Sequence, residues 1–184
     1  MRKLAITITA LLVTFLSHAQ NNFGLKVIKK DINNNGIQDI IKPFNNYLEI
    51  SIDNKKYKID FENDFGFQNL TEIEFINNVL VVTGGNDGTG AWSFTYKFRN
   101  NKLKNKIELI GYDDFSKWVS GNRTTSINLV NGKYEVTVME WNEKKEDHDT
   151  FIYKGKKTFK KVYLTELRQA DLNKFSEIGQ QYEK

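Results

Sequence analysis

A chain of 184 residues with 39% hydrophobic side chains can bury enough apolar surface for one self-sufficient domain. It has no cysteine, which excludes disulfides and a lipid anchor on an N-terminal cysteine. Its formal charge of +4 arises from 27 basic and 23 acidic side chains interspersed along the chain, without the basic stripe that nucleic-acid binding uses.

Arg2 and Lys3 precede an uncharged, mostly apolar run over residues 4–16, and Ser17 and Ala19 supply small residues for cleavage after Ala19. This pattern predicts a signal peptide over residues 1–19, too short to span a bilayer, and one mature domain over 20–184. Its removal leaves 25 basic against 23 acidic side chains. The expectation is a bacterial exported chain, periplasmic or secreted, with no membrane span after cleavage.

A first strand is predicted over residues 23–28. The stretch DINNNGIQD follows, Asp31 to Asp39, with oxygen-bearing side chains at Asp31, Asn33, Asn35 and Asp39 and a glycine at Gly36. Calcium takes six to eight hard oxygen ligands in flexible geometry. The loop offers the side chains of Asp31, Asn33 and Asn35, the carbonyl of Ile37 and the carboxylate of Asp39, while Gly36 permits the sharp turn. It is not an EF-hand, because Lys42 stands where the bidentate glutamate belongs and the flanks are strand-like. It is similar instead to the short nine-residue loops of FG-GAP and integrin-like modules, and the expected cofactor is calcium. The alternative is an Asn/Asp/Gly turn without an ion.

Residues 47–52 place Leu48, Ile50 and Ile52 on one face, and Asp53-Asn54 turns the chain into a strand over 56–61 with Tyr57, Ile59 and Phe61 inward. Residues 79–82 form a continuous apolar run. Trp92, Phe94, Tyr96 and Phe98 alternate with Ser93, Thr95, Lys97 and Arg99, so four aromatics share one face, as core or as a platform for carbohydrate. Strands follow over 106–112 and 126–130. Asn131-Gly132 predicts a two-residue hairpin into 133–141, and short strands are predicted near 150–153 and 158–164. Leu167, Leu172, Phe175 and Ile178 fall at helical spacing. The fold class is all-β, a mainly antiparallel sheet as a sandwich or propeller-like meander, with a C-terminal amphipathic helix.

No catalytic set stands out. After cleavage the only histidine is His148, within Glu-Asp-His-Asp, and zinc needs three or four ligands including His or Cys. No G-x-S-x-G elbow is present. Asp113 and Asp114 are adjacent on a strand and point to opposite faces, whereas glycosidase carboxyls face each other. The glycine-rich GGNDGTG lacks the lysine and the helix of a phosphate loop. The chain is expected not to be an enzyme.

The signal peptide, the D-x-N-x-N-G-x-x-D loop, GGNDGTGAWSFTYKFRNNK, KIELIGYD and SINLVNGK, in that order over residues 25–163, resemble bacterial exported proteins related to periplasmic I-type lysozyme inhibitors. Their relatives include calcium-binding immunity proteins against peptidoglycan hydrolases. The resemblance implies a β protein that inserts a surface loop into the cleft of its partner, a peptidoglycan hydrolase. That loop would be Gly84, Gly85, Asn86, Asp87, Gly88, Thr89 and Gly90, with Ser120-Gly121 as a second candidate. It lacks the serine and tyrosine that such loops often present, which counts against lysozyme itself as the target. The alternative function is a non-catalytic carbohydrate- or surface-binding module using Trp92, Trp118 or Trp141.

Overall fold

Short apolar alternations broken by Asn, Asp and Gly turns give strands that each pair with their neighbour in sequence. The computed structural model of the chain describes residues 24–61, 69–88 and 90–183, so the expected signal peptide lies outside the described residues. The first antiparallel sheet holds β1 (Ile28–Lys30), β2 (Asp39–Pro43), β3 (Tyr47–Ile52) and β4 (Lys55–Asp60). The second holds β5 (Leu70–Ile76), β6 (Val79–Asn86), β7 (Trp92–Asn101), β8 (Lys106–Trp118), β9 (Gly121–Asn128), β10 (Lys133–Asn142) and β11 (Asp147–Lys156), again an antiparallel meander in chain order. A helix, α1 (Gln169–Gln180), closes the chain, and the arrangement is a sandwich-like pair of sheets. No helix among the described residues is long and apolar enough to cross a membrane.

The β3–β4 hairpin forms as its alternation requires. Leu48, Ile50, Ile52 and Ile59 are buried, and Asp53 and Asn54 both take the positive φ (52° and 62°) that a tight two-residue turn demands. The aromatic face of β7 is core: Phe94, Tyr96 and Phe98 are buried and Trp92 is half-buried. Phe61, just past β4, joins the two sheets, with its ring 6.3 Å from Phe94 and 5.8 Å from Tyr96. Fully burying a ring of this size contributes about 1.5–3 kcal/mol. Farther along the same face, α1 packs its Leu172, Phe175 and Ile178 against the second sheet, with Phe175 5.6 Å from Tyr112.

Five local expectations are corrected. The first strand begins at Ile28 rather than covering 23–28, because only residues 28–30 have partners on β2; Phe23 lies outside the described residues. Residues 158–164 do not form a strand. They cross back to bury Val162 and Leu164, touching the sheet through a bridge between Tyr163 and Glu108 and a 2.9 Å bond from the Leu109 N–H to the Val162 carbonyl. The Asn131-Gly132 turn is a longer connection over residues 129–132. Only Gly132 takes a positive φ (75°), and the Asn128 side chain accepts the N–H groups of Val130 and Asn131 at 3.0 and 3.2 Å. Leu167 precedes α1 rather than belonging to it.

Gly84 and Gly85 are the fifth case. They are buried within β6, not part of a mobile loop. A Cβ at Gly84 would stand 2.4 Å from the Phe94 ring and 2.7 Å from the Asn69 carbonyl, so the glycine lets the aromatic lie across the strand. Gly84→Ala is expected to cost about 1–3 kcal/mol, seen as a lower urea midpoint at unchanged slope. An unshifted midpoint would show that Phe94 has room to move aside.

Candidate metal centre

The loop from Asp31 to Asp39 coils on its own side-chain oxygens. The Asp31 carboxylate accepts the N–H groups of Asn35 at 3.1 Å and Gly36 at 2.8 Å. Asn33 Oδ1 accepts Asn35 N–H at 3.2 Å, and Asn35 Oδ1 accepts Ile37 N–H at 2.7 Å. Gly36 sits at φ 84° and Asn34 at 59°, the left-handed turns that bend the loop. The Ile37 side chain is exposed.

Asp39 ends this loop at the first position of β2 and is only 1% exposed. Its Oδ2 accepts the Ile32 N–H at 3.0 Å, while its Oδ1 is buried without a hydrogen-bond partner. Burial pushes the carboxyl above its ordinary range. The nearby charges of Asp31 and Asp53 push it the same way, and the backbone N–H groups of Ile32 and Asp53 pull it partly back. Asn33, 4% exposed, is held from two directions: its Nδ2 donates to Asp53 Oδ1 at 3.0 Å, and its carbonyl accepts Asn100 Nδ2 from the end of β7. Asn35 Nδ2 also donates to Asp53 Oδ1.

Asp31, Asn33, Asn35 and Asp39 thus share one hydrogen-bonded loop, and Asp53 joins them from the β3–β4 turn. Nothing in the linear pattern separates Asp53 from an ordinary turn aspartate. The charges of Asp31 and Asp53 act on the buried Asp39 carboxyl, and its Oδ1 has no hydrogen-bond partner. A hard cation would relieve both conditions at once. Among the described residues no three acidic, histidine or cysteine side chains are already drawn into a closed cage. The asparagine amides of Asn33 and Asn35 instead both donate to Asp53 Oδ1.

The other end of β7 carries the expected partner loop. With Gly84, Gly85 and Asn86 in β6, the connection narrows to residues 87–91, closed by a 3.0 Å bond from the Trp92 N–H to Asn86 Oδ1. Asp87, Gly88 and Gly90 are exposed, and Thr89 lies outside the described residues. Backbone bonds tie neighbouring connections to it: Lys117 N–H to the Ala91 carbonyl at 2.8 Å, and Trp141 N–H to the Ser120 carbonyl at 2.7 Å. The result is a rim with Val119 fully exposed and Trp141 45% exposed. Trp92 stacks on Phe94, and Trp141 stands edge-on to the His148 ring at 5.3 Å.

A buried polar cluster under α1 was not foreseen. Arg123 donates to Asp114 Oδ1 at 3.2 Å and to Glu183 past the end of α1, and the Tyr112 hydroxyl donates to Asp114 Oδ2 at 3.0 Å. Burial raises the Asp114 carboxyl, and Arg123 pulls it partly back. Asp113 does point to the opposite face, paired with Lys97.

No family model matches the chain, and no curated protein or solved structure is similar to it.

Proposed function

We propose that the protein is an exported, calcium-binding β protein that acts by binding, as an inhibitor of or immunity protein against a peptidoglycan hydrolase, and not by catalysis. The observation that carries the calcium part is the buried, partnerless Asp39 Oδ1, on a carboxyl raised further by the charges of Asp31 and Asp53, in a loop rich in oxygen-bearing side chains. The signal peptide supports a periplasmic or secreted location, where calcium is plentiful enough for a loop of modest charge.

The partner surface in this reading is the rim of residues 87–91 with Val119 and Trp141. An exposed indole at the same end of the sheet as a polar, glycine-bearing connection supplies the aromatic anchor that binding hot spots favour. The metal centre lies at the far end of β7 and stiffens the scaffold without touching the partner.

The test is calorimetric titration against purified peptidoglycan hydrolases, starting with those encoded beside the gene. Trp141→Ala is expected to weaken binding by about tenfold or more with far-UV circular dichroism unchanged. If none of these hydrolases is bound or inhibited, the inhibitor reading falls while the metal centre stands.

A further inference from the structure

The outward face of the second sheet departs from what a solvated sheet normally shows. Such faces usually carry long polar or charged side chains over their whole width. Here two adjacent cross-strand rows are built mainly of small hydroxyl residues. Ser93, Phe115, Thr124 and Thr137 are paired in one row across β7, β8, β9 and β10. Thr95, Asp113, Ser126 and Glu135 are paired in the next. The short side chains leave an open trough of about 320 Å³, at the lower end of the range for small-molecule sites. It crosses four strands, so it is roughly 15 Å long.

Its chemistry is narrow. Asp113 is paired with Lys97 and also accepts the Ser126 hydroxyl at 2.7 Å; Glu135 is paired with Lys154 at 2.8 Å. Both carboxylates are thus charge-balanced, and the trough attracts neither a phosphate nor a cation. Their remaining lone pairs accept hydrogen bonds strongly. Five of the side chains, Ser93, Thr95, Thr124, Ser126 and Thr137, bear hydroxyls that both donate and accept. Phe115 places a half-buried ring between Ser93 and Thr124, an apolar surface in an otherwise polar floor.

We propose that this trough binds a neutral saccharide chain, with a sugar's C–H face on Phe115 and its hydroxyls on Thr124, Ser126, Thr137 and the two carboxylates. A lipid would leave these polar groups unpaired, and a nucleic acid would bring phosphates beside the Asp113 and Glu135 carboxylates. The site is separate from the rim and from the metal centre, and depends on neither.

The experiment is a ¹H–¹⁵N titration of the protein with cellotriose, chitotriose and maltotriose, with and without a calcium chelator. At least one should give saturable shifts centred on the amides of Phe115, Thr124, Ser126 and Thr137, in both conditions. Thr124 is exposed, so Thr124→Trp fills the trough without entering the core, and it should weaken binding about tenfold or more. Glu135→Gln removes one charged acceptor and should weaken it in the same direction. Absence of saturable shifts with all three sugars overturns the proposal. So does binding that survives both variants, or that centres on Trp141.

Discussion

Calcium at a hundredfold excess over its dissociation constant is expected to stabilise the fold by about 2.7 kcal/mol, a rise in melting temperature of roughly 5–10 °C. On the proposed reading the ion would bind only the folded loop, whereas in the unfolded chain Asp31, Asp39 and Asp53 are scattered over separate segments. Asp39→Asn separates the two roles of that carboxylate. It removes a buried negative charge that faces Asp31 and Asp53, so the calcium-free variant should be more stable than the calcium-free parent at neutral pH. It should also lose the calcium response. Asp53→Asn tests the residue that came from outside the motif, and should diminish the shift while leaving the Asp31–Asp39 loop sequence intact. Identical melts for the parent chain in calcium and in chelator would end the metal reading.

Arg123→Met is expected to destabilise the protein by about 3–5 kcal/mol at neutral pH, because it strands the Asp114 carboxylate in the core. The pH dependence gives the sign. Burial already raises the Asp114 carboxyl in the folded state, and Arg123 holds that rise in check. Without the arginine the folded state holds the Asp114 proton more tightly still. Below the ordinary carboxylate value of 3.8 both folded and unfolded chains carry the proton, and Asp114 adds no penalty. As pH climbs from there through the raised folded value, the unfolded chain releases its proton first and stability falls. The deficit of the variant should therefore be small in acid and full at neutral pH, measured by urea unfolding at both. Adding Asp114→Asn should recover a large part of it at neutral pH, since the two positions are coupled through one contact. A deficit that is the same in acid, with no rescue by asparagine, would mean that lost packing dominates.

Strand alternation made most of the architecture legible. The β3–β4 hairpin, the aromatic face of β7 and the buried stripe of α1 each follow from a period that one side of the element satisfies with apolar residues. The failures have a common physical origin in contacts between distant segments. Residues 158–164 read as a strand, yet β11 already forms the edge of its sheet, and Val162 and Leu164 fill core instead. Gly84 and Gly85 read as a loop because glycine disfavours strands, and only the ring of Phe94 across the pair makes a missing Cβ useful. Arg123 shares the inward face of β9 with Thr125 and Ile127, and its burial becomes intelligible once Asp114 and Glu183 stand opposite it. At the candidate metal centre the spacing of oxygen-bearing side chains from Asp31 to Asp39 was visible in the chain. Asp53 was not, because it arrives through the pairing of β2 with β3.

The strict meander also sets an order of assembly. Because every strand in both sheets pairs with the one before or after it, each hairpin closes a short loop and can form before anything distant is in place. Few steps need remote parts of the chain: laying Phe61 against Phe94 and Tyr96, and returning the segment after β11 with its helix. The Asp31–Asp39 loop stands at the first of these joints, since Asp39 and Asp53 belong to one sheet while Asn100, which holds the Asn33 carbonyl, belongs to the other. An ion held there would act after the hairpins have formed, latching two finished sheets together. Its kinetic signature would be slower separation of the sheets, with the rate of hairpin formation left unchanged.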